Sequence, residues 1–125
     1  MVDFKNSSYL KLRQIKLSEG EELVQQLLIE GESVLSAYKS VRDFVVFTNK
    51  RVISANVQGV TGKKRDFTSM PYSRITVFSV ETSGVFDIDS ELELWFSGLG
   101  KVIFEFTGHS DIVEIGRMIA TYTLR

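Results

Sequence analysis

The stretch Glu91–Phe106, ELELWFSGLGKVIFEF, decides the fold because its pattern is that of a single β-hairpin. Side chains alternate between two faces on both sides of the loop Gly98–Gly100, and a period of two is typical of β-strands. We therefore predict two antiparallel strands joined by a three-residue turn with a glycine in the left-handed region. Six apolar residues form the inward face: Leu92, Leu94, Phe96, Val102, Phe104 and Phe106.

The register predicted for this hairpin pairs three sets of core residues: Phe96 with Val102, Leu94 with Phe104, and Leu92 with Phe106. On the outer face it places Trp95 opposite Ile103 and Glu93 opposite Glu105. Opposed like charges are unfavourable, and an exposed Trp–Ile pair leaves apolar area in water. A second subunit that covers this face and supplies a cation removes both problems. These four residues are therefore candidate contacts of an oligomer interface.

Two alternatives for the same face stay open. The N-terminal segment of the same chain could cover it, with Lys11 or Arg13 meeting the glutamates. The Trp–Ile pair could also simply be exposed.

Upstream of the hairpin, runs rich in Val, Ile, Phe and Tyr predict five more strands, which makes about seven antiparallel strands in all. Thr48–Arg51 is a predicted tight turn, 59–64 a polar loop, and Pro71 a bend or an edge. The predicted strands span residues 33–40, 42–48, 51–57, 65–70 and 74–82.

Helices are predicted on both sides of the strands. The first starts at the cap Ser18, spans about ten residues and stops near Gly31. The second follows the hairpin, with Ser110 as its cap and Gly116 allowing close approach to the sheet. One face of this second helix carries Ile112, Ile115, Ile119 and Tyr122.

Length and composition predict one domain over residues 1–125, with an N-terminal arm at 1–17 and a core at about 18–123. The arm packs on the domain or on a neighbouring subunit, a disordered tail being the alternative. The chain has no cysteine, so disulfides and thiolate metal sites are excluded. No apolar run has the ~18 residues of a membrane helix. A cytoplasmic location is expected.

Two motifs carry a family resemblance. Phe47–Ile53, FTNKRVI, and Tyr72–Ile75, YSRI, resemble segments of the bacterial pleckstrin-homology family, and the likeness extends over about Gly20–Tyr122. The resemblance implies a mainly β (α+β) fold: a seven-stranded antiparallel barrel or sandwich with a C-terminal capping helix and a short N-terminal helix. It also implies a single domain without enzymatic activity. It further implies a closed ring of identical subunits, five-fold in members that lack a C-terminal extension.

Catalysis and metal binding find little support in the residues. His109 is the only histidine, and helix capping accounts for the adjacent Ser110 and Asp111. A hydrolase that uses His109 is kept only as a hypothesis to be tested. The acids Asp87, Asp89 and Glu91 lack the order of a calcium loop. We therefore predict no catalytic residue, no metal and no cofactor.

Anion binding is a more serious possibility. Lys39 and Arg42 flank a predicted hairpin, and Lys63, Lys64 and Arg65 follow a glycine loop. A basic residue near an anionic surface contributes about 1 kcal/mol, so a few of them bind weakly. The net charge of −1 and the lack of a basic stripe with exposed aromatics argue against nucleic acid.

The sequence thus favours a non-catalytic interaction module. We expect a homo-oligomeric ring that presents a repeated surface to an unknown protein partner. Weak recognition of anionic lipid or phosphate at a membrane surface is the alternative.

Overall fold

The computed structural model describes residues 1–5, 7–59, 61–84, 88–108 and 110–125, which form a curled eight-stranded sheet with two helices. Its strands lie in the order β5-β4-β3-β2-β1-β8-β7-β6, and only β1 and β8 run parallel. In chain order the elements are β1 (Ser7–Gln14), α1 (Leu17–Val24), β2 (Val34–Lys39), β3 (Phe44–Thr48), β4 (Arg51–Gln58), β5 (Lys64–Pro71), a 3-10 turn (Tyr72–Arg74), β6 (Ile75–Glu81), β7 (Ser90–Phe96), β8 (Gly100–Phe106) and α2 (Ile112–Thr123).

The predicted hairpin forms as β7 and β8, but its register differs from the prediction by two residues. Phe96 pairs with Gly100, and Leu94 pairs with Val102. The Leu99 N–H donates to the Phe96 carbonyl (3.1 Å), so only residues 97–99 lie in the turn. A shift of two keeps each side chain on its face. The six apolar residues are therefore buried as predicted.

The same shift makes the predicted pairs on the outer face wrong. Trp95 lies opposite Lys101 and not Ile103. Glu93 lies opposite Ile103 and not Glu105. The three-residue turn was predicted at residues 98–100, whereas the hydrogen-bonded turn comprises residues 97–99.

Residues Ser7–Gln14 of the N-terminal arm pack on the domain as strand β1 of the sheet, so the disordered-tail alternative is wrong. Tyr9 and Leu12 of β1 are buried in the core. The sequence pattern concealed this strand because the register of β1 against β8 shifts between Tyr9 and Leu12. Lys11 lies at that irregularity with φ +57°, which interrupts the alternation.

Both helices form, with caps other than those predicted. Lys16 precedes α1, and no side chain caps it, so Ser18 is not the cap and the helix is shorter than predicted. At α2 the carboxylate of Asp111 accepts the Glu114 N–H (3.1 Å), while the Ser110 hydroxyl donates to Thr107 O (3.4 Å). Asp111 follows Ser110 in the chain, and its side chain accepts the N–H of Glu114, the third residue of the helix. Asp111 is therefore the N-cap.

The sheet carries a core on each face. The larger core lies inside the curl and is covered by α2, and the smaller one lies between strands β2–β4 and α1. A methyl group on Gly116 would lie 2.9 Å from Val80 Cγ1, so α2 approaches β6 as closely as predicted. The helices therefore cover only part of the sheet. Among the described elements, no helix covers the outer face of β6–β8.

Candidate interaction surfaces

The turn Thr48–Arg51, which carries the family resemblance, is a structural hub. The Thr48 hydroxyl accepts the N–H groups of Lys50 and Arg51 (3.0 Å each) and donates to Glu32 Oε2 (2.7 Å). The Asn49 amide oxygen accepts the Ser33 N–H (2.9 Å). These bonds fasten the connection between α1 and β2 to the β3–β4 turn.

Glu32 and Arg51 form a buried ion pair behind this turn. Arg51 donates Nε and Nη2 to the two carboxylate oxygens of Glu32, at 2.9 Å each, and the Glu32 side chain has no exposed surface. Arg51 Nη2 also reaches Leu27 O (2.6 Å). Burial alone would raise the pKa of Glu32. The hydrogen bonds from Arg51, Thr48 and the Ile29 N–H outweigh burial, and the pKa of Glu32 lies below its usual value.

The second resemblance motif, Tyr72–Ile75, also stabilises the scaffold. The Tyr72 hydroxyl donates to Thr48 O (2.7 Å), and its ring stacks on Tyr122 of α2 with centroids 5.2 Å apart. Burial raises the pKa of Tyr72 far above its usual range, so the hydroxyl keeps its proton. Both motifs therefore stabilise the fold of this chain, and the candidate interaction surfaces lie elsewhere.

An apolar patch lies on the outer face, at the sheet edge formed by β6. Val77 and Leu99 are each 57% exposed, and Trp95 is 40% exposed. Val77 pairs with Trp95, and the Lys101 ammonium lies 5.0 Å from the centroid of the Trp95 ring. A shallow depression runs along the patch from Thr76 to Gly100. Of these residues, the sequence predicted only Trp95 as a contact.

Beside this patch lies a group of glutamates that we call the acidic surface: Glu81, Glu91, Glu93 and Glu105. Three strands align Glu81, Glu91 and Glu105 in one row, each directly opposite the next. Desolvation, followed by the charges of Glu81, Glu93 and Glu105, raises the pKa of Glu91. The predicted like-charge pair is thus replaced by a row of three.

Two lysines approach the ends of the acidic surface. Lys101 Nζ lies 3.3 Å from Glu93 Oε1. Lys11 Nζ lies 2.6 Å from Asp89 and 3.7 Å from Glu105. The hydrogen bond from Lys11 lowers the pKa of Asp89. The expectation that Lys11 meets a glutamate is confirmed, although β1 joins the sheet edge to edge and does not cover Trp95.

A second surface collects basic residues that are distant in the sequence. Lys39, Arg42 and Arg65 line a cavity of about 320 Å³, which we call the basic concavity. The Arg65 guanidinium lies 5.9 Å from the centroid of the Phe44 ring, and Arg42 donates to Gly59 O (2.8 Å). Apolar residues Leu23, Phe44 and Val57 form part of the wall, and Val41 at the hairpin tip is 97% exposed.

The remaining predicted cations lie beside the concavity. Lys63 and Lys64 are exposed, and neither is among the residues that line it. Lys64 precedes Arg65 on β5, so its side chain leaves the opposite face of the strand. The structure thus unites three of the five predicted basic residues.

The structure adds little about the candidate catalytic and metal-binding residues. Two of the candidate residues, His109 and Asp87, lie outside the described residues. The other residues outside them are Asn6, Val60, Val85 and Phe86. Within the described residues, no three acidic or histidine side chains are arranged to hold a metal ion. In that same part of the chain, no helix is long and apolar enough to cross a membrane.

The sequence did not point to a groove of about 450 Å³ between α2 and β2. Its lining combines apolar Leu35, Tyr38 and Met118 with polar Gln14 and Arg117. These residues come from three separate elements, and no local pattern relates them.

Comparison with known proteins identifies the class. Residues 3–123 match the model of the bacterial PH domain family, and the chain belongs to that family. It is 48% identical over 102 residues to the uncharacterized protein YjqA of Bacillus subtilis, covering 80% of this chain and 82% of that protein.

Two solved structures share the fold. A DUF1696 family protein with a pleckstrin-homology domain from Shewanella loihica is 40% identical, with a TM-score of 0.79 over 91% of this chain and 98% of that one. A pleckstrin homology domain from Shewanella amazonensis is 43% identical, with a TM-score of 0.68 over 89% and 90% of the two chains. The predicted mainly β, pleckstrin-homology-like fold is confirmed, with eight strands in place of seven.

Proposed function

We propose that this chain is a non-catalytic interaction module of the cytoplasm that assembles into a closed ring of identical subunits and presents a repeated surface to a protein partner. The observation that carries the proposal is the apolar patch of Val77, Trp95 and Leu99, which is uncovered in the single chain and borders the open strand β6. Open edges and contiguous apolar patches are features by which proteins associate. The ring itself, five-fold in the simplest case, is implied by the family resemblance.

The self-association is tested by a matched pair of valine substitutions. Val77 on β6 is 57% exposed, and Val113 on α2 is 54% exposed. We expect Val77→Gln to lower the mass measured by size exclusion with light scattering, because it makes the contact centre polar. Val113→Gln should leave the mass of the wild-type assembly unchanged. Equal masses for all three proteins would contradict a role for the patch in assembly.

A second function is favoured by one observation, the basic concavity. Three cations and an exposed valine at a hairpin tip suit weak binding of phosphate groups, whether on an anionic lipid or free in solution. We expect sedimentation with vesicles that contain phosphatidylserine, decreasing with salt and with Arg65→Gln. Inorganic phosphate that competes would indicate the free anion, and equal binding to neutral phosphatidylcholine vesicles would contradict both.

A further inference from the structure

The two charged surfaces of this chain are complementary to each other. We propose that they form one contact between neighbouring copies, in which the acidic surface of one chain docks on the basic concavity of the next. This inference rests on the proposed self-association and names the surface that each partner contributes. The two surfaces lie on different halves of the sheet, with β1 between them in the strand order.

The acidic surface carries more negative charge than the chain itself neutralises. Lys101 and Lys11 pair with Glu93 and Glu105 at its ends. Among the described ion pairs, none reaches Glu81 or Glu91. Aligned carboxylates without a cation repel one another, and a docked cation relieves that repulsion.

The basic concavity carries an excess of positive charge. Its lining holds Lys39, Arg42 and Arg65 and no acidic residue. Among the described ion pairs, one involves a residue of this lining: Lys39 lies 3.9 Å from Glu19, and both side chains are nearly half exposed. Such a pair is weak in water. Arginine guanidinium groups are well suited to take up carboxylates through two parallel hydrogen bonds.

Each charged surface is accompanied by apolar groups. Val77 and Trp95 border the acidic surface, while Leu23, Phe44 and Val57 line the basic concavity. A buried aromatic anchor inside a charged rim is the arrangement that stabilises many protein interfaces. The chain therefore holds both halves of a contact with matching charge and with apolar area on each side.

The charge pattern also disfavours one arrangement of the assembly. A two-fold contact of the acidic surface with itself would set glutamates against glutamates, which is unfavourable. A head-to-tail contact instead joins unlike surfaces and leaves one of each free for the next copy. Such a contact repeats around a ring when the rotation closes. The complementarity thus gives the proposed ring a physical basis.

Charge reversal tests this pairing. We expect Glu91→Lys and Arg65→Glu each to reduce the mass in light scattering to the monomer's 14.2 kDa. A chain that carries both substitutions should recover the larger mass, because every contact around the ring then joins a reversed acidic surface to a reversed concavity. Glu81→Lys and Lys39→Glu provide a second pair of variants if either first variant fails to fold by circular dichroism.

Reversals outside the contact serve as controls. Glu114→Lys and Arg117→Glu change the same charges on exposed residues of α2 and should leave the wild-type mass intact. If the wild type assembles and the Glu91 and Arg65 reversals do not affect it, this pairing is wrong while self-association stands. If both reversals dissociate the assembly and the doubly substituted chain does not recover the larger mass, the pairing is also wrong. A wild type that is monomeric at every concentration would instead remove the proposed function itself.

Discussion

Two glutamates, Glu32 and Glu91, lie in opposite environments in this chain. The Glu32 side chain is buried, pairs with Arg51 and accepts a hydrogen bond from the Thr48 hydroxyl. Glu91 instead lies in a row of carboxylates on the outer face of the sheet. Their pKa values shift in opposite directions, downward for Glu32 and upward for Glu91. Both pKa shifts follow from the surroundings: hydrogen-bond donors outweigh burial at Glu32, whereas desolvation and then neighbouring like charges act on Glu91.

The comparison distinguishes residues that stabilise the fold, the scaffold, from residues on the proposed interaction surface. The motif that carries the family resemblance belongs to this hub, where Thr48 and Arg51 hydrogen-bond Glu32 and the Tyr72 hydroxyl donates to Thr48 O. At the centre of the acidic surface, no ion pair of the described residues reaches Glu91. The motif of the resemblance thus holds the fold of this chain, and the proposed action lies on the acidic surface, where no described ion pair reaches Glu81 or Glu91.

The largest effect is expected from breaking the buried pair. Glu32→Ala leaves the Arg51 guanidinium without its carboxylate, which costs about 3 kcal/mol. For a chain of this size, the melting temperature should fall by roughly 10 °C. Glu93→Ala is the control, because it removes a partly exposed pair on the sheet surface and should change the free energy of unfolding by less than about 1 kcal/mol. Equal losses from the two variants, measured by urea unfolding, would contradict the division into scaffold and surface.

A smaller effect is expected from acid. The pKa of Glu32 in the folded chain lies below the value of about 4.3 in the unfolded chain. Its contribution to stability is therefore complete above that unfolded value and is lost as the pH falls through the folded one. We expect the Glu32→Gln variant, which cannot ionise, to lose less stability than the wild type between about pH 5 and pH 2. Parallel curves of unfolding free energy against pH would argue against this role.

The smallest effect is expected from the acidic surface. Because the pKa of Glu91 is raised, its charged form is disfavoured in the folded chain, and its contribution is lost as the pH rises through the folded pKa. Glu91→Gln should therefore stabilise the chain at pH 7 by a few tenths of a kcal/mol, and this gain should vanish below about pH 4. Unfolding is measured on dilute, monomeric protein, since a neighbour's cations would mask the gain. Destabilisation at pH 7 under these conditions would mean that Glu91 has a cation in its own chain.

The sequence predicted the strands well because a period of two depends only on which face is buried. The strands predicted between residues 33 and 82 all form, with ends within two residues of those in the structure. The register of the last hairpin was wrong because it depends on how the turn closes, here through the Leu99–Phe96 hydrogen bond. Strand β1 was missed because the irregularity at Lys11 interrupts its alternation.

The candidate surfaces were predicted only in part. Trp95 stood out as an apolar residue on an outward face, but its neighbours Val77 and Lys101 depend on strand order and register, which the pattern does not contain. Likewise, Lys39 and Arg65 come together only because β2–β5 form one half of the sheet. Charge composition is visible in a sequence, whereas the alignment of charges across strands requires the fold.

The most direct test of the central proposal is the solution mass of the purified wild-type chain, measured by light scattering across a range of concentration and salt. A surface that acts through self-association predicts a mass several times 14.2 kDa at low salt. It also predicts partial dissociation as salt screens the contact between the acidic surface and the basic concavity. A mass of 14.2 kDa under all conditions would contradict it.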